Sequence, residues 1–246
     1  LSNADRLFHR QRRRTVFHPA HPSRNHARNY PRWASALSIG RASAIVAPMS
    51  ESSLKVLAVS GSLHQGSIPR VALDGLAELL GAAGCAVDMW DLFEEPLAMF
   101  SPSTSYTSPE YPLLKARVDR ADVIVLSTPD YHGAMSGAMK NFLDHFWKEF
   151  AGKLFGTIVS SHEKGLTVAD QLRTVARQVN AWVIPYAVAL QDKLDVVDGE
   201  IVSDAFRNKL DMFASDLRVY GGLIAKQRSA DLAGTEPGFM ARNRPS

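Results

Sequence analysis

Seven consecutive residues, Gly61-Ser62-Leu63-His64-Gln65-Gly66-Ser67, bring together two serines, a histidine and two glycines. Glycines let the backbone approach an anion closely. If a helix follows, its first N–H groups and its dipole favour negative charge at the same place. The hydroxyls of Ser62 and Ser67 add donors, so a monophosphate suits the stretch. An ordinary turn capped by Ser67 suits it equally well. The GxGxxG fingerprint and the Walker A lysine are both absent, which argues against dinucleotide or triphosphate binding at this position.

Two further stretches offer chemistry. Thr128-Pro129-Asp130-Tyr131-His132-Gly133-Ala134-Met135 has its path fixed by Pro129 and Gly133, and Tyr131 supplies an aromatic face. A flat heteroaromatic ring could lie against it; the plainer alternative is a Tyr131 packed on the sheet edge and a solvated His132. Ser160-Ser161-His162-Glu163-Lys164-Gly165 supplies serines and N–H groups for a ring edge. Its His-Glu-Lys trio reads as solvated charge. Asp144, His145 and Glu149 suggest no hydrolase, because no GxSxG elbow accompanies them. Trp147, Phe150 and Trp182 read as core or subunit-interface residues.

These stretches need elements to hold them. Leu54–Ser60 is a short apolar, β-branched run and predicts a buried strand. Helical spacing follows over 68–83, with Val71, Leu73, Leu76, Leu79 and Leu80 inward, Ser67 as N-cap and Pro69 in the first turn. Strands are then expected at 85–90, 122–127, 154–160 and 182–190, the last with Pro185 inside it, as only an edge or bulge tolerates. Helices are expected at 109–120 (Leu113, Leu114, Ala116 and Val118 inward), 137–150, 168–180 and 205–225. Asp198-Gly199 marks a turn, and 94–110 reads as a long loop. Alternating short apolar strands and helices predict an α/β fold with a parallel sheet covered on both faces. Five such units suggest the flavodoxin-like strand order 2-1-3-4-5. In that order ligands bind at the carboxyl ends of the strands, near the switch point, where all three stretches would meet.

The chain has 246 residues, enough for one such domain. It has one cysteine, Cys85, so no internal disulfide forms, and a reducing cytoplasm is the expected compartment. No run of about 18 apolar residues predicts a membrane span. Charge is uneven. Residues 1–50 hold nine Arg and one acid, a net +8, which leaves −5 for the rest against the overall +3. Residues 1–48 are therefore set apart as a basic segment, before a domain at 49–225 and a loose tail at 226–246. The basic segment could be a nucleic-acid-binding arm, a transit peptide, or a non-native extension ahead of Met49. The last is favoured, so neither a nucleic-acid nor a membrane partner is expected.

The three stretches resemble the NAD(P)H-dependent FMN reductases, flavodoxin-like enzymes that include quinone, chromate and azo-dye reductases. Gly61–Pro69 is similar to that family's Gly-Ser-x-Arg-x-x-Ser-x-Asn, and Thr128–Gly133 to its Thr-Pro-Glu-Tyr-Asn-Gly. Lys140, Asn141 and Asp144 match a Leu-Lys-Asn-x-x-Asp that follows. The resemblance spans roughly 54–225 and implies FMN as cofactor and NADPH or NADH as co-substrate. It implies that Ser62, His64 and Ser67 hold the FMN phosphate. Pro129, Asp130, Tyr131, His132 and Gly133 would run along the ring and ribityl chain, and Ser160 with Ser161 would meet the pyrimidine edge. It further implies hydride passage in two steps to a small acceptor, no protein acid or base, and a homodimer or homotetramer with the Phe146/Trp147 helix as contact surface. His64 replaces the usual Arg, and an imidazole lacks its bidentate fork, so phosphate binding is expected to be weaker and to vary with pH. Pro69, Asp130 and His132 also depart from the pattern, and the third loop lacks the usual double glycine. The alternative is a flavodoxin-type electron carrier, which is normally far more acidic than −5.

Overall fold

The structure, a computed structural model, describes residues 53–162 and 164–244. Strands are β1 (Lys55–Ser60), β2 (Ala86–Asp91), β3 (Val123–Tyr131), β4 (Ala134–Met135), β5 (Leu154–Ser160), β6 (Trp182–Val183), β7 (Val188–Leu190), β8 (Val196–Val197) and β9 (Glu200–Ile201). Helices are α1 (Ile68–Ala82), α2 (Tyr111–Arg120), α3 (Gly137–Asp144), α4 (Leu166–Gln178) and α5 (Asp204–Ala233). The main sheet runs β2-β1-β3-β5, with β6 beside the start of β5 and β7 beside its end, all parallel.

The α/β class and the flavodoxin-like order hold, but the sheet has seven strands rather than five. The fifth expected strand is broken in two, because residues 185–187, beginning with Pro185, leave the ladder at the sheet edge after the Ile184 N–H has bonded to Phe155. The other addition is β4, which folds back antiparallel on β3.

Alternate residues of each central strand serve opposite faces, as the pleat requires. Val56, Ala58, Val123, Val125 and Ile158 pack under α1 and α5 with Leu73, Leu76 and Phe213. Leu57, Val59, Ile124, Leu126 and Phe155 pack under α2, α3 and α4 with Val118, Phe142 and Leu172. Both faces are covered, which is why the central strands read as largely apolar runs.

Three expectations need correction. Leu113 points outward at 74 % exposure, because it lies about 100° around the helix from Leu114 and about 140° from Val118, which take the inner side of α2. The helix from Gly137 ends at Asp144 instead of 150, and a 3-10 turn follows at Lys148–Phe150. That break buries both Phe146 and Phe150 in the aromatic cluster around Trp90 and Phe142, while Trp147 stays 66 % exposed. Phe146 is therefore a core residue and not part of a contact surface. The last helix continues to Ala233 and is not a tail from 226. Arg228 Nε donates to the Ala151 carbonyl at 2.9 Å, and Met240 is buried against Gly152. Residues 1–48 lie outside the described residues, as do Met49–Ser52, Glu163 and the last two residues.

Candidate active site

The three stretches meet at the carboxyl ends of β1, β3 and β5. Gly61 follows β1 directly, and its N–H donates to the Ser127 carbonyl at 2.7 Å. Its carbonyl accepts from Ser136 Oγ, at the head of α3. A Cβ on Gly61 would stand 2.8 Å from Met139 Cβ, so the first loop presses directly on α3.

Within that loop, Ser62 is 2 % exposed, and its Oγ accepts from the His64 N–H at 3.3 Å. His64 itself is exposed at the rim. Ser67 is the N-cap residue of α1 by backbone conformation, but its side chain makes no capping bond. Its Oγ is buried and has no protein partner, although buried hydroxyls normally find one. The Ser60 Oγ, one residue before the loop, is in the same condition. The N–H groups of Ser62, Leu63, Gln65, Gly66 and Ile68 also meet no acceptor among the described residues. Unpartnered backbone and hydroxyl donors at a helix head are the kind of donors that a phosphate needs. A nearby cation is already committed. Burial works against the charge of Arg70, but its hydrogen bonds to Asp74 and Asp91 outweigh that and hold its pKa above the ordinary value.

The second stretch is a hairpin. Tyr131 pairs with Ala134, and His132 and Gly133 have φ of 58° and 77°. Two successive positive φ values define a type I′ turn, which glycine accepts freely and histidine accepts more readily than most residues. Pro129 is buried in β3, two residues past the end of the ladder with β1, so its missing N–H costs little. Tyr131 is 53 % exposed and His132 is also exposed.

Asp130 fastens this hairpin. Its Oδ1 accepts from the Gly133 N–H at 2.8 Å and its Oδ2 from Ser161 Oγ at 3.0 Å. Ser160 and Ser161 are half-buried, and the Ser161 N–H donates to the Leu190 carbonyl. His162 and Lys164 are exposed. Gly165 has φ of 60° and heads α4, where a Cβ would clash with Val159. A cavity of about 630 Å³ lies between hairpin and third loop, lined by Asp130, Gly133, Ser161, Lys164, Thr167 and Gln191.

Two residues here make contacts that no local sequence signal reveals. Gln171 Oε1 accepts from the Met135 N–H, and its Nε2 donates to the Gly133 carbonyl at 3.0 Å, clamping the hairpin onto α4. A glutamine on a helix flank reads as solvated, and only the fold brings it to the turn. Ser136 reads as a helix cap, which it is, but its reach to Gly61 is invisible locally.

The model of the NADPH-dependent FMN reductase family matches residues 54–195, from β1 past β7. The chain belongs to this family. Membership makes it an NADPH-dependent enzyme that uses FMN. The chain is similar to an NADPH azoreductase of Bacillus sp. (strain OY1-2), 31 % identical over 156 residues, which cover 62 % of this chain and 84 % of that one. It is also similar to an FMN-dependent NADPH-azoreductase of Staphylococcus haemolyticus (strain JCSC1435), 28 % identical over 178 residues, covering 67 % and 93 %. Among solved structures it resembles a flavoenzyme NAD(P)H:(acceptor) oxidoreductase from Paracoccus denitrificans, with a TM-score of 0.58 at 20 % identity over 70 % of this chain and 98 % of that one. An archaeal flavodoxin follows with a TM-score of 0.50 at 11 % identity, covering 69 % and 99 %. These structures share the fold of this FMN reductase relative, which is the doubly wound sheet described above. No described helix is long and apolar enough to cross a membrane.

Proposed function

We propose that this chain passes a hydride from NADPH, or from NADH, through bound FMN to a small acceptor in a ping-pong sequence. The acceptor is an azo compound, a quinone, a free flavin or a metal oxyanion; azo compounds come first because relatives carry the name azoreductase. The observation that carries this reading is the first loop, where a buried Ser67 hydroxyl and successive N–H groups lack protein acceptors at the head of α1. Ser62, His64 and Ser67 would hold the FMN phosphate there. Pro129, Asp130, Tyr131, His132 and Gly133 would flank the ring and ribityl chain, and Ser160 with Ser161 would face the pyrimidine edge.

FMN, when bound, supplies the two-electron redox centre. The protein's own part is to bind, orient and shield. The helix head and serines hold the anion, and the hairpin, fixed by Asp130 and Gln171, sets the plane against which a ring lies. The exposed Tyr131 leaves room for nicotinamide and acceptor to visit in turn. No side chain is assigned as acid or base. The proposed setting is a reducing cytoplasm, and the proposed assembly is a homodimer or homotetramer with the exposed Trp147 on its contact face.

The test is steady-state oxidation of NADPH by the FMN-loaded protein with an azo dye varied against NADPH. Parallel double-reciprocal lines are expected. Converging lines would refute the ping-pong order, and no oxidation with any acceptor would refute the reductase reading.

A further inference from the structure

Ser136 is 3 % exposed and makes more bonds than a helix cap requires. Its Oγ accepts from the Met139 N–H at 3.0 Å, which is the capping bond of α3. Its one hydroxyl proton goes elsewhere, to the Gly61 carbonyl at the start of the phosphate loop. Its own N–H donates to Thr128 Oγ1 at 3.1 Å, tying it also to the end of β3. A serine hydroxyl has one donor and two acceptor sites, and here the donor is spent across the site.

The consequence lies in the peptide plane. The Gly61–Ser62 bond is trans, so its C=O and N–H point in opposite directions. Holding the Gly61 oxygen toward α3 turns the Ser62 N–H away from α3. The Gly61 N–H is fixed as well, on Ser127. We propose that Ser136 is a positioning residue for the anion site, which locks the Gly61–Ser62 peptide so that the Ser62 N–H is presented to the flavin phosphate. This rests on the FMN reading above. Without the hydroxyl, the buried Gly61 carbonyl loses its acceptor role to Ser136, and the plane is free to turn.

The test compares three variants by flavin-fluorescence titration with FMN and with riboflavin, which lacks the phosphate. Ser136→Ala removes both the cap and the tie to Gly61. Ser136→Gly keeps most of the capping stability, because glycine is a tolerable N-cap, but it too lacks the hydroxyl. Ser136→Thr restores the hydroxyl. FMN affinity should fall about tenfold in the Ala and Gly variants, as expected for losing one hydrogen bond from the Ser62 N–H to the charged phosphate. Riboflavin affinity should stay within about twofold, since the phosphate contact is absent in that complex, and Thr should bind FMN like the parent. Thermal unfolding of the apo-proteins identifies a variant that fails to fold; if Ala does, Gly and Thr still decide. A Gly variant that binds FMN as tightly as the parent would overturn the inference, leaving Ser136 a cap. A parallel loss for FMN and riboflavin would overturn it too. A parent protein that binds no FMN would instead sink the functional reading on which it rests.

Discussion

The carboxylate of Asp130 is shared between two loops: one oxygen takes the Gly133 N–H of its own hairpin, and the other takes the Ser161 hydroxyl of the loop after β5. One side chain thus sets both the turn and its distance from the neighbouring loop. Asp130→Ala should lower FMN affinity about tenfold, in line with losing hydrogen bonds to a charged acceptor. Ser161→Ala, which removes one of the two, should cost about threefold. Fluorescence titration checks both; equal affinity in Asp130→Ala would show that the hairpin holds without it.

Gly61 has no room for a side chain. Gly61→Ala places a methyl 2.8 Å from both Met139 Cβ and Met139 Cε. Overpacking of this kind costs roughly 1–3 kcal/mol, so the melting temperature should fall together with FMN affinity. Met139→Ala added to it relieves the Cε contact but not the Cβ contact, and should recover only part of the loss. Full recovery would mean that the backbone shifts freely here.

His64 stands exposed at the rim of the loop, and the nearest arginine on α1 is engaged by Asp74 and Asp91. His64→Arg should tighten FMN about fivefold, because a guanidinium offers a fixed charge and a bidentate fork to phosphate. The gain should shrink in high salt, as screening requires. An unchanged affinity would place residue 64 outside the phosphate contacts.

Much of this was legible in the sequence, for physical reasons. A parallel sheet buried on both faces must be written as largely apolar runs, and Leu57–Val59, Ile124–Leu126 and Phe155–Val159, with Thr157 its one polar residue, are such runs. The strand order then placed the three loops together. What stayed hidden depends on distant partners. The bond from Ser136 to Gly61 joins residues 75 apart, and Gln171 meets a turn 38 residues earlier. The hairpin at His132-Gly133 is hidden for another reason: histidine is a less common marker of positive φ than asparagine or glycine. Ser67 occupies the N-cap position that its sequence context predicts, but its hydroxyl does not cap, which only the folded loop reveals.

A pH effect on stability follows from Lys153, which is fully buried and donates to the Val118, Asp119 and Ala121 carbonyls at the end of α2. Burial pushes its pKa down from 10.5 to about 7, and the Arg228 charge adds to this. Between about pH 7 and 10 the unfolded chain therefore binds more protons at this group than the folded one, so stability rises with pH in that window. Above it, Tyr111, pushed up to about 12 by burial and by Glu149, reverses the trend, because the folded state then holds the extra proton. Urea unfolding across this range checks both signs. Lys153→Met should remove the rise, and should also destabilise the protein by taking a buried donor from those carbonyls, of which Val118 keeps the Ala121 N–H; a rise that persists in the variant would assign it to another group.

The most direct test of the cofactor site and its chemistry is an anaerobic visible spectrum of the purified protein after loading with FMN. The expected result is a bound-flavin band that bleaches on adding NADPH alone, and returns on adding an azo dye or quinone after NADP has been removed. A protein that stays colourless in excess FMN, or a bound band that NADPH leaves untouched, would contradict the account.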